Sequence, residues 1–269
     1  MKLLQYNVLE GCRTEERYTQ LCQFLKTNNY DVIGFNELND WTEDEFSMEM
    51  EKVGYPYTSL LEMESSPFHI GIAAKYPIEN IYSTEDDPFH HGMLHVKIED
   101  THFIITHLTP FESEIRERET EKLGQYVAKI DEPLVVMGDL NSLSPRDRMY
   151  YEQENAIEKI MGNKFLIRQH IRENRINYQP IQNLLEAGLY DTNTAQTIDY
   201  SMPTKINPNY EQAAHVRIDY VLVNKHIKEH NPTSKIIRND QLAMISDHYP
   251  IQCQWDMNNT TREEEYDEE

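Results

Sequence analysis

The sequence predicts an α/β fold in which two packed, mainly antiparallel sheets are flanked by helices. Strand and helix signals alternate loosely along the 269 residues. Connections from strand to strand are more frequent than a doubly wound parallel fold would show. The apolar run at residues 134–138 is typical of a core strand, and it ends abruptly in Asp139 and Asn141. These three observations predict the fold class.

Each element has a local signal in the sequence. Helix starts are marked by candidate caps, such as the capping box formed by Thr42 and Glu45. Helix ends are marked by glycine, as at Gly188. In chain order, we expect a strand at 2–8, a helix after Thr14, a strand at 31–38, a helix opened by the capping box, strands between 57 and 106 with a hairpin around 99–101, a helix at 112–130, the core strand at 134–138, a mainly helical segment at 144–190, a strand at 217–224 and a final strand at 249–255.

Composition and charge limit the class of protein. The formal net charge of −22 argues against a protein that coats nucleic acid through a positive field. No apolar run approaches the length of a membrane span, and the start of the chain lacks a signal-peptide pattern, so a cytoplasmic location is expected. The three cysteines form neither metal-ligand spacing nor a disulfide framework. We expect one domain over residues 1–256, followed by a disordered acidic tail at 257–269.

Polar residues recur where predicted strands begin or end. Taken singly, each has a structural explanation: Asn7 could cap a turn, Glu37 could be a solvated strand end, His107 could be a core histidine, and Asp219 could pair with Arg217. Taken together, they form a set that is unusual for strand ends. The set comprises Asn7, Glu37, His107, Asp139, Asn141, Asp219, Asp247 and His248.

The chemistry of this set points to phosphate esters. Hard oxygen ligands such as those of Asn7, Glu37 and Asp247 suit Mg²⁺, with Mn²⁺ as a substitute. The cysteines and histidines form no zinc pattern. Two histidines beside several acids suit proton transfer to and from a phosphate ester whose charge a metal ion offsets.

Seven short motifs strengthen this interpretation because they occur in a recognisable order over nearly the whole chain. On them the chain resembles the endonuclease/exonuclease/phosphatase superfamily, also called the pancreatic deoxyribonuclease-like fold. The resemblance implies a four-layered α/β sandwich with a Mg²⁺-dependent phosphoesterase site at one rim. The motifs lie at residues 5–8, 33–37, 70–78, 106–108, 138–141, 217–220 and 246–250.

The resemblance also implies a role for each member of the set. Glu37 resembles the principal metal ligand, with Asn7 beside it and Asp247 as a second metal-linked carboxylate. Asp139 resembles the acid that handles the proton of the attacking water or of the leaving group.

The remaining residues would contact or orient the phosphate. Asn141 resembles a donor that orients phosphate, and His107 matches a histidine that contacts it. Asp219 resembles the acid that orients His248, which would bind or protonate the phosphoryl group. Leu9 stands where some nucleases of the superfamily carry an acid or amide, so the number of metal ions stays open.

Three functions are compatible with these residues. The favoured one is a Mg²⁺-dependent phosphodiesterase or nuclease acting on a phosphate-ester substrate, either nucleic acid or a small phosphorylated molecule. The alternative is a phosphomonoesterase acting on a lipid headgroup, an inositol phosphate or a nucleotide. A catalytically inactive scaffold is the third, and the full set of acids and histidines argues against it. The sequence indicates no protein partner.

One basic run bears on the choice of substrate. Lys164, Arg168, Arg172 and Arg175 would share one face of a helix, where they could contact a nucleic-acid backbone. The competing and favoured interpretation is a solvated face whose charges pair with Glu154, Glu158 and Glu173. The segment at 202–212 lacks the tryptophan that many DNA-acting members of the superfamily carry there, which argues against DNA repair.

Overall fold

A computed structural model describes residues 1–153, 155–193 and 199–256 of the chain. The predicted acidic tail at 257–269 lies outside the described residues. In chain order the strands are β1 (Lys2–Asn7), β2 (Val32–Asn36), β3 (Tyr57–Leu61), β4 (Ile70–Ala74), β5 (Ile78–Thr84), β6 (Met93–Ile98), β7 (Thr101–Thr106), β8 (Leu134–Asp139), β9 (Ile171–Arg172), β10 (Arg175–Ile176), β11 (Tyr190–Asp191), β12 (Asp219–Val223), β13 (Thr233–Ile236) and β14 (Ile251–Gln254).

The helices follow most of the predicted signals. Thr42 forms the predicted capping box with Glu45, and Gly188 follows the end of a helix with a positive φ of 91°. The helices are α1 (Glu15–Asn28), α2 (Glu43–Lys52), α3 (Ser113–Val127), α4 (Arg148–Gln153), α5 (Ala156–Met161), α6 (Lys164–His170), α7 (Gln179–Glu186) and α8 (Lys225–Lys228), with 3₁₀ turns at Glu10–Cys12, Pro145–Asp147 and Leu242–Met244.

Two six-stranded sheets form the centre of the molecule, as predicted. The first has the strand order β13-β14-β1-β2-β4-β3, and the second has the order β11-β12-β8-β7-β6-β5. Neighbouring strands are antiparallel except for β1 with β2 and β7 with β8. Each parallel pair is connected through a helix, α1 or α3, because a parallel connection needs a long crossover.

Apolar side chains divide the fold into four layers. The inner faces of both sheets pack together through residues such as Ile72 and Met137. The outer face of the first sheet packs against α1 and α2, with Phe24 and Phe46 in that core. The outer face of the second sheet packs against α3 and α7, where Leu123 is buried. The order helix, sheet, sheet, helix confirms the four-layered α/β sandwich.

The two parallel pairs decide where the polar strand ends lie. Because β1 and β2 run in the same direction, both carboxyl ends reach one edge of the first sheet. The same holds for β7 and β8 in the second sheet. β12 runs antiparallel to β8 with Asp219 opposite Asp139, so its first residue joins that edge. β14 runs antiparallel to β1 with Ile251 opposite Gln5, which brings the preceding loop there.

Gly138 does not turn the chain at the end of the core strand. It lies inside β8, where it pairs with Tyr220, so the strand continues through it. A Cβ atom at this position would stand 1.8 Å from the carbonyl oxygen of Thr106 in the neighbouring strand. Glycine is required here because two backbones approach closely, and this contact cannot be inferred from the residues around position 138.

The basic run does not form one helical face, so that prediction is wrong. α6 ends at His170, and residues 171–176 form a hairpin of β9 and β10. Glu173 and Asn174 both have positive φ angles, 49° and 62°, as the tight turn of a two-residue hairpin requires. Two arginines of the run pair with glutamates other than those predicted: Arg168 with Glu112, and Arg172 with Glu117.

A buried ion triad fastens the helical segment to the second sheet. Arg217 donates to both carboxylate oxygens of Asp147, at 2.7 and 3.0 Å, and to those of Asp191, at 3.2 and 2.6 Å. All three side chains are about 2% exposed or less. Arg217 therefore does not pair with Asp219, which removes the structural explanation offered for that acid.

No helix in the described part of the chain is long and apolar enough to cross a membrane.

Candidate active site

The eight predicted site residues converge at the shared edge of the two sheets. Six of them line one cleft of about 720 Å³. The other two lie directly behind its wall: Asn7 donates to Glu37 and Asp139, and Asp219 bonds to His248. The structure thus brings the set together, while the roles of its members stay predictions. The six residues that line the cleft are Glu37, His107, Asp139, Asn141, Asp247 and His248.

His248 is held by a buried carboxylate. Its Nδ1 lies 2.7 Å from Oδ2 of Asp219, and Gln5 donates to the other oxygen of Asp219 at 3.2 Å. Burial alone would lower the pKa of His248, but the nearby Asp219, Asp139 and Asp247 outweigh burial and raise that pKa well above its ordinary value. We therefore assign His248 as protonated, with Nε2 donating into the cleft.

Asp139 is the carboxylate on which the site converges. Its Oδ1 accepts from the backbone N–H of Asn141 at 2.9 Å, and its Oδ2 accepts from the side chain of Asn7 at 3.1 Å. Burial raises the pKa of Asp139 to about 8, although the charge of His248 acts in the opposite direction. A carboxyl group with a pKa near neutrality can both accept and return a proton.

His107 is the second histidine beside this carboxylate. Its Nε2 lies 3.6 Å from Oδ2 of Asp139, and the ring stacks on His91 at 4.5 Å between centroids. Burial, followed by the neighbouring histidines, holds the pKa of His107 well below its ordinary value. Its Nδ1 has no hydrogen-bond partner among the described residues, so we assign the proton of the neutral ring to Nε2.

Asn141 is oriented by partners on both sides of its carboxamide. Its nitrogen donates to the carbonyl of Leu108 at 2.9 Å, and its oxygen accepts from the side chain of Gln169 at 3.1 Å. Arg116, 1% exposed, in turn donates to the carbonyls of Gln169 and Thr109. One hydrogen of the Asn141 amide remains for the cleft, which suits the predicted contact to phosphate.

Replacing Gln169 with leucine is expected to lower kcat about tenfold, because Asn141 would lose the donor that fixes its amide and a misplaced donor stabilises the transition state less. Gln169→Glu keeps the shape but cannot donate, so it should show the same loss. Steady-state kinetics separate kcat from KM. Gln125→Leu, at an exposed position of α3, is the matched control. Wild-type kcat in Gln169→Glu would show that the hydrogen bond does not position Asn141.

Glu37 is a partly buried acid with neutral partners. Its two oxygens accept from the side chain of Asn7 at 3.0 Å and from the backbone of Glu10 at 3.1 Å. Within the described residues no lysine, arginine or histidine forms an ion pair with it, and burial raises its pKa. A carboxylate in this environment is stabilised by a cation. The side-chain nitrogen of Asn7 donates to Glu37, and its side-chain oxygen accepts from the backbone N–H of Leu9.

A second group could also hold a metal ion. Asp139, Asp219 and His248 bring one potential ligand atom each to within 4.8 Å of the others. Yet the pair formed by Asp219 and His248 is already joined by a short hydrogen bond, and a protonated imidazole cannot bind a metal ion. Oxygen ligands around Glu37 suit a hard divalent ion better than this group does.

Two further residues hold the site together, and neither was predicted to have a role there. Gln5 and Asn36 are polar residues at buried positions of β1 and β2. Asn36 accepts from the backbone of Asp139 at 2.8 Å and donates to the carbonyl of Thr106 at 3.0 Å. Gln5 donates to Asn36 and Asp219. They bridge the two sheets behind the cleft, and their polarity inside core strands is the signal that could have identified them.

Comparisons with known proteins agree with this fold. The profile of the Endonuclease/Exonuclease/phosphatase family matches residues 4–248. A sequence search of curated proteins finds no significant match.

Solved structures with a similar fold cover 95% of this chain. One is an AP endonuclease from Archaeoglobus fulgidus, at 19% identity and a TM-score of 0.74, matched over 99% of its own chain. Another is the 3′-5′ exonuclease NExo from Neisseria meningitidis, at 17% identity and a TM-score of 0.67, matched over 100% of its chain. A third is the 3′ phosphatase NExo from Neisseria bound to a product DNA hairpin, at 17% identity and a TM-score of 0.70, matched over 99% of its chain.

Proposed function

The chain belongs to the endonuclease/exonuclease/phosphatase family and is accordingly a hydrolase of phosphate esters, and from this premise we propose that it is a Mg²⁺-dependent phosphodiesterase. The observation that carries the proposal is the convergence of two histidines on one carboxylate. Nε2 of His107 and Nε2 of His248 lie 3.6 and 3.7 Å from Oδ2 of Asp139. These separations exceed a hydrogen bond, so both imidazole nitrogens lie beside Asp139 without bonding to it and remain available to a phosphate oxygen in the cleft.

Each group around this space has a distinct task in the proposed reaction. His248, held protonated by Asp219, donates to a phosphoryl oxygen on which charge develops. His107 is neutral and donates its Nε2–H to another oxygen of the same phosphate. Asp139 takes the proton of the attacking water or supplies one to the leaving group. The amide of Asn141 fixes the orientation of the phosphate.

Glu37 and Asp247 are the residues that would hold the divalent ion, with Asn7 beside them. Both carboxylates line the cleft, and Glu37 lacks a cationic partner among the described residues. When bound there, the ion would offset the negative charge of the phosphate. Because the oxygens of carboxylates are hard ligands, Mg²⁺ is the favoured ion and Mn²⁺ its substitute.

Removing divalent ions with a chelator is expected to abolish hydrolysis of a phosphodiester, and adding Mg²⁺ should restore it. Glu37→Gln should raise the Mg²⁺ concentration for half-maximal activity by at least about tenfold, because one charged ligand is lost. Titration calorimetry of Mg²⁺ binding measures the same change without turnover. Glu51→Gln, at an exposed position of α2, is the control. Full activity in the chelated protein would contradict the proposal.

A panel of substrates separates the activities that one site of this kind could have. It would compare single-stranded DNA, RNA, an abasic duplex, a phosphoinositide, a simple phosphodiester and a simple phosphomonoester. Nuclease activity is supported by the names of two similar structures. The single basic helical face at 164–175, which would also have supported it, does not form. A phosphomonoesterase is the second candidate because a similar structure is described as a 3′ phosphatase.

A further inference from the structure

The wall of the cleft that faces the catalytic groups is apolar. It is formed by α5, α6 and the segment that precedes β12. The apolar side chains of these three parts that line the cleft are Ile160, Phe165, Leu166, Val216 and Ile218. Ile160, Val216 and Ile218 are buried, whereas 52% of Phe165 remains exposed. Apolar surface of this kind is unfavourable in water and gains stability when a ligand covers it.

Positive charge is scarce in the same cleft. Of the described residues that line it, Lys159 alone is a lysine or arginine. Its ammonium group donates to the carbonyls of Ala213 and Glu211, at 2.9 and 3.3 Å. Arg168, on α6, is paired with Glu112. A polynucleotide held through several phosphates needs several free cationic contacts, and this cleft does not offer them.

The apolar wall is held at a fixed position relative to the reacting phosphate. Asn163 is the N-cap of α6, and its side chain accepts from the backbone of Phe165 and Leu166 at 2.9 and 3.3 Å. It ends at Gln169 and His170, where Gln169 bonds to Asn141. The group that orients phosphate and the wall are thus joined through one short helix.

We propose that the substrate is a small phosphate ester whose organic group is uncharged and apolar, and that this group packs against the wall formed by α5, α6 and residues 214–218. The cleft volume of about 720 Å³ lies in the range of small-molecule sites. The proposal rests on the phosphodiesterase activity proposed above. It also assigns a purpose to the helical segment after β8, which shapes the substrate site.

A matched pair of diesters tests the assignment. Phenyl p-nitrophenyl phosphate and methyl p-nitrophenyl phosphate share a leaving group and differ in the organic group that is retained. In each, the oxygen of water bonds to phosphorus, the bond to p-nitrophenolate breaks, and one proton of the water is released. With Mg²⁺, kcat/KM is expected to be at least about tenfold higher for the phenyl ester, since an aryl group buries more apolar surface.

Variants locate the preference on the wall. Phe165→Ala should lower the ratio of phenyl to methyl kcat/KM about tenfold because the exposed ring is removed. Met161→Ala, on α5 but outside this cleft, should leave the ratio unchanged. Thermal melting shows whether each variant is folded. A ratio that is equal for wild type and Phe165→Ala would overturn the assignment of the wall.

A binding measurement separates failure of the substrate assignment from failure of the proposed function. Calorimetry would compare phenylphosphonate with methylphosphonate in the presence of Mg²⁺, and we expect the phenyl compound to bind about tenfold more tightly. Equal affinities, or a single-stranded DNA hydrolysed more efficiently than both diesters, would overturn the assignment. Absence of hydrolysis for every ester would overturn the proposed activity, while the binding comparison still decides what the wall accepts.

Discussion

Asp139→Asn is expected to lower kcat for a phosphodiester about a thousandfold at saturating Mg²⁺. The proton of the attacking water or of the leaving group has to pass through a group placed at the phosphate, and proton transfer of this kind contributes about 10²- to 10⁴-fold to catalysis. Oδ2 of Asp139 lies 3.6 Å from Nε2 of His107 and 3.7 Å from Nε2 of His248, and the pKa of about 8 suits this carboxyl to the task. Asparagine cannot carry the proton.

The loss should not come from unfolding. Asparagine keeps an oxygen that can accept from Asn141 N–H and removes a carboxylate that is only 2% exposed. The melting temperature should therefore stay within about 5 °C of wild type. Asp100→Asn, in the exposed turn between β6 and β7, is the matched control for both measurements. A kcat within tenfold of wild type would refute the assigned role.

Arg217→Met is expected to lower the free energy of unfolding by about 3–5 kcal/mol. The substitution leaves the carboxylates of Asp147 and Asp191 buried without the guanidinium that both contact at 2.6–3.2 Å. A buried charge without a partner is more costly than the absence of the whole triad. Chemical denaturation, followed by fluorescence and by activity, measures the loss.

The comparison with a surface pair tests this argument about burial. Arg148→Met removes an exposed partner of Glu152 and should cost less than about 1 kcal/mol. Adding Asp147→Asn and Asp191→Asn to Arg217→Met removes the two stranded charges, so part of the lost stability should return. If Arg217→Met costs no more than Arg148→Met, the triad does not contribute to stability.

The polar residues at the shared edge of the two sheets could be predicted because their signals in the sequence are local. A strand ends where apolar alternation stops, and the polar residue that follows is visible without any tertiary information. Glu37 and Asp139 each stand directly after such a run, and His107 follows another. Resemblance to a family supplied the order in which these strand ends meet. These strand ends meet because each sheet contains one parallel pair of strands, and a helix connects the two strands of each pair.

Other features depend on contacts between distant parts of the chain. The partners of Arg217 lie 70 and 26 residues away, so the nearby Asp219 was the natural local candidate. The need for Gly138 comes from a carbonyl in another strand. The spacing of the basic residues predicted one continuous helix, but a hairpin at 171–176 interrupts it. The turn of this hairpin, at Glu173 and Asn174, was only weakly indicated by the sequence.

The apolar wall of the cleft could not be predicted from local sequence patterns. Phe165 and Leu166 look like ordinary apolar positions of a short helix. The packing of α5 and α6 beside the candidate site turns them toward the cleft, and the contact between Gln169 and Asn141 links α6 to that site. The apolar wall is therefore encoded in tertiary arrangement more than in motifs.

The position of β1 in the middle of its sheet has a consequence for biosynthesis. β1 is made before the other described elements, yet one of its two neighbours is β14, which follows all of them in the described chain. Until residues 251–254 leave the ribosome, one edge of β1 stays unpaired and open to wrong association. Asp247 and His248 arrive just before that strand. Two of the eight residues of the candidate site are thus added to the chain only shortly before β14 can complete the first sheet.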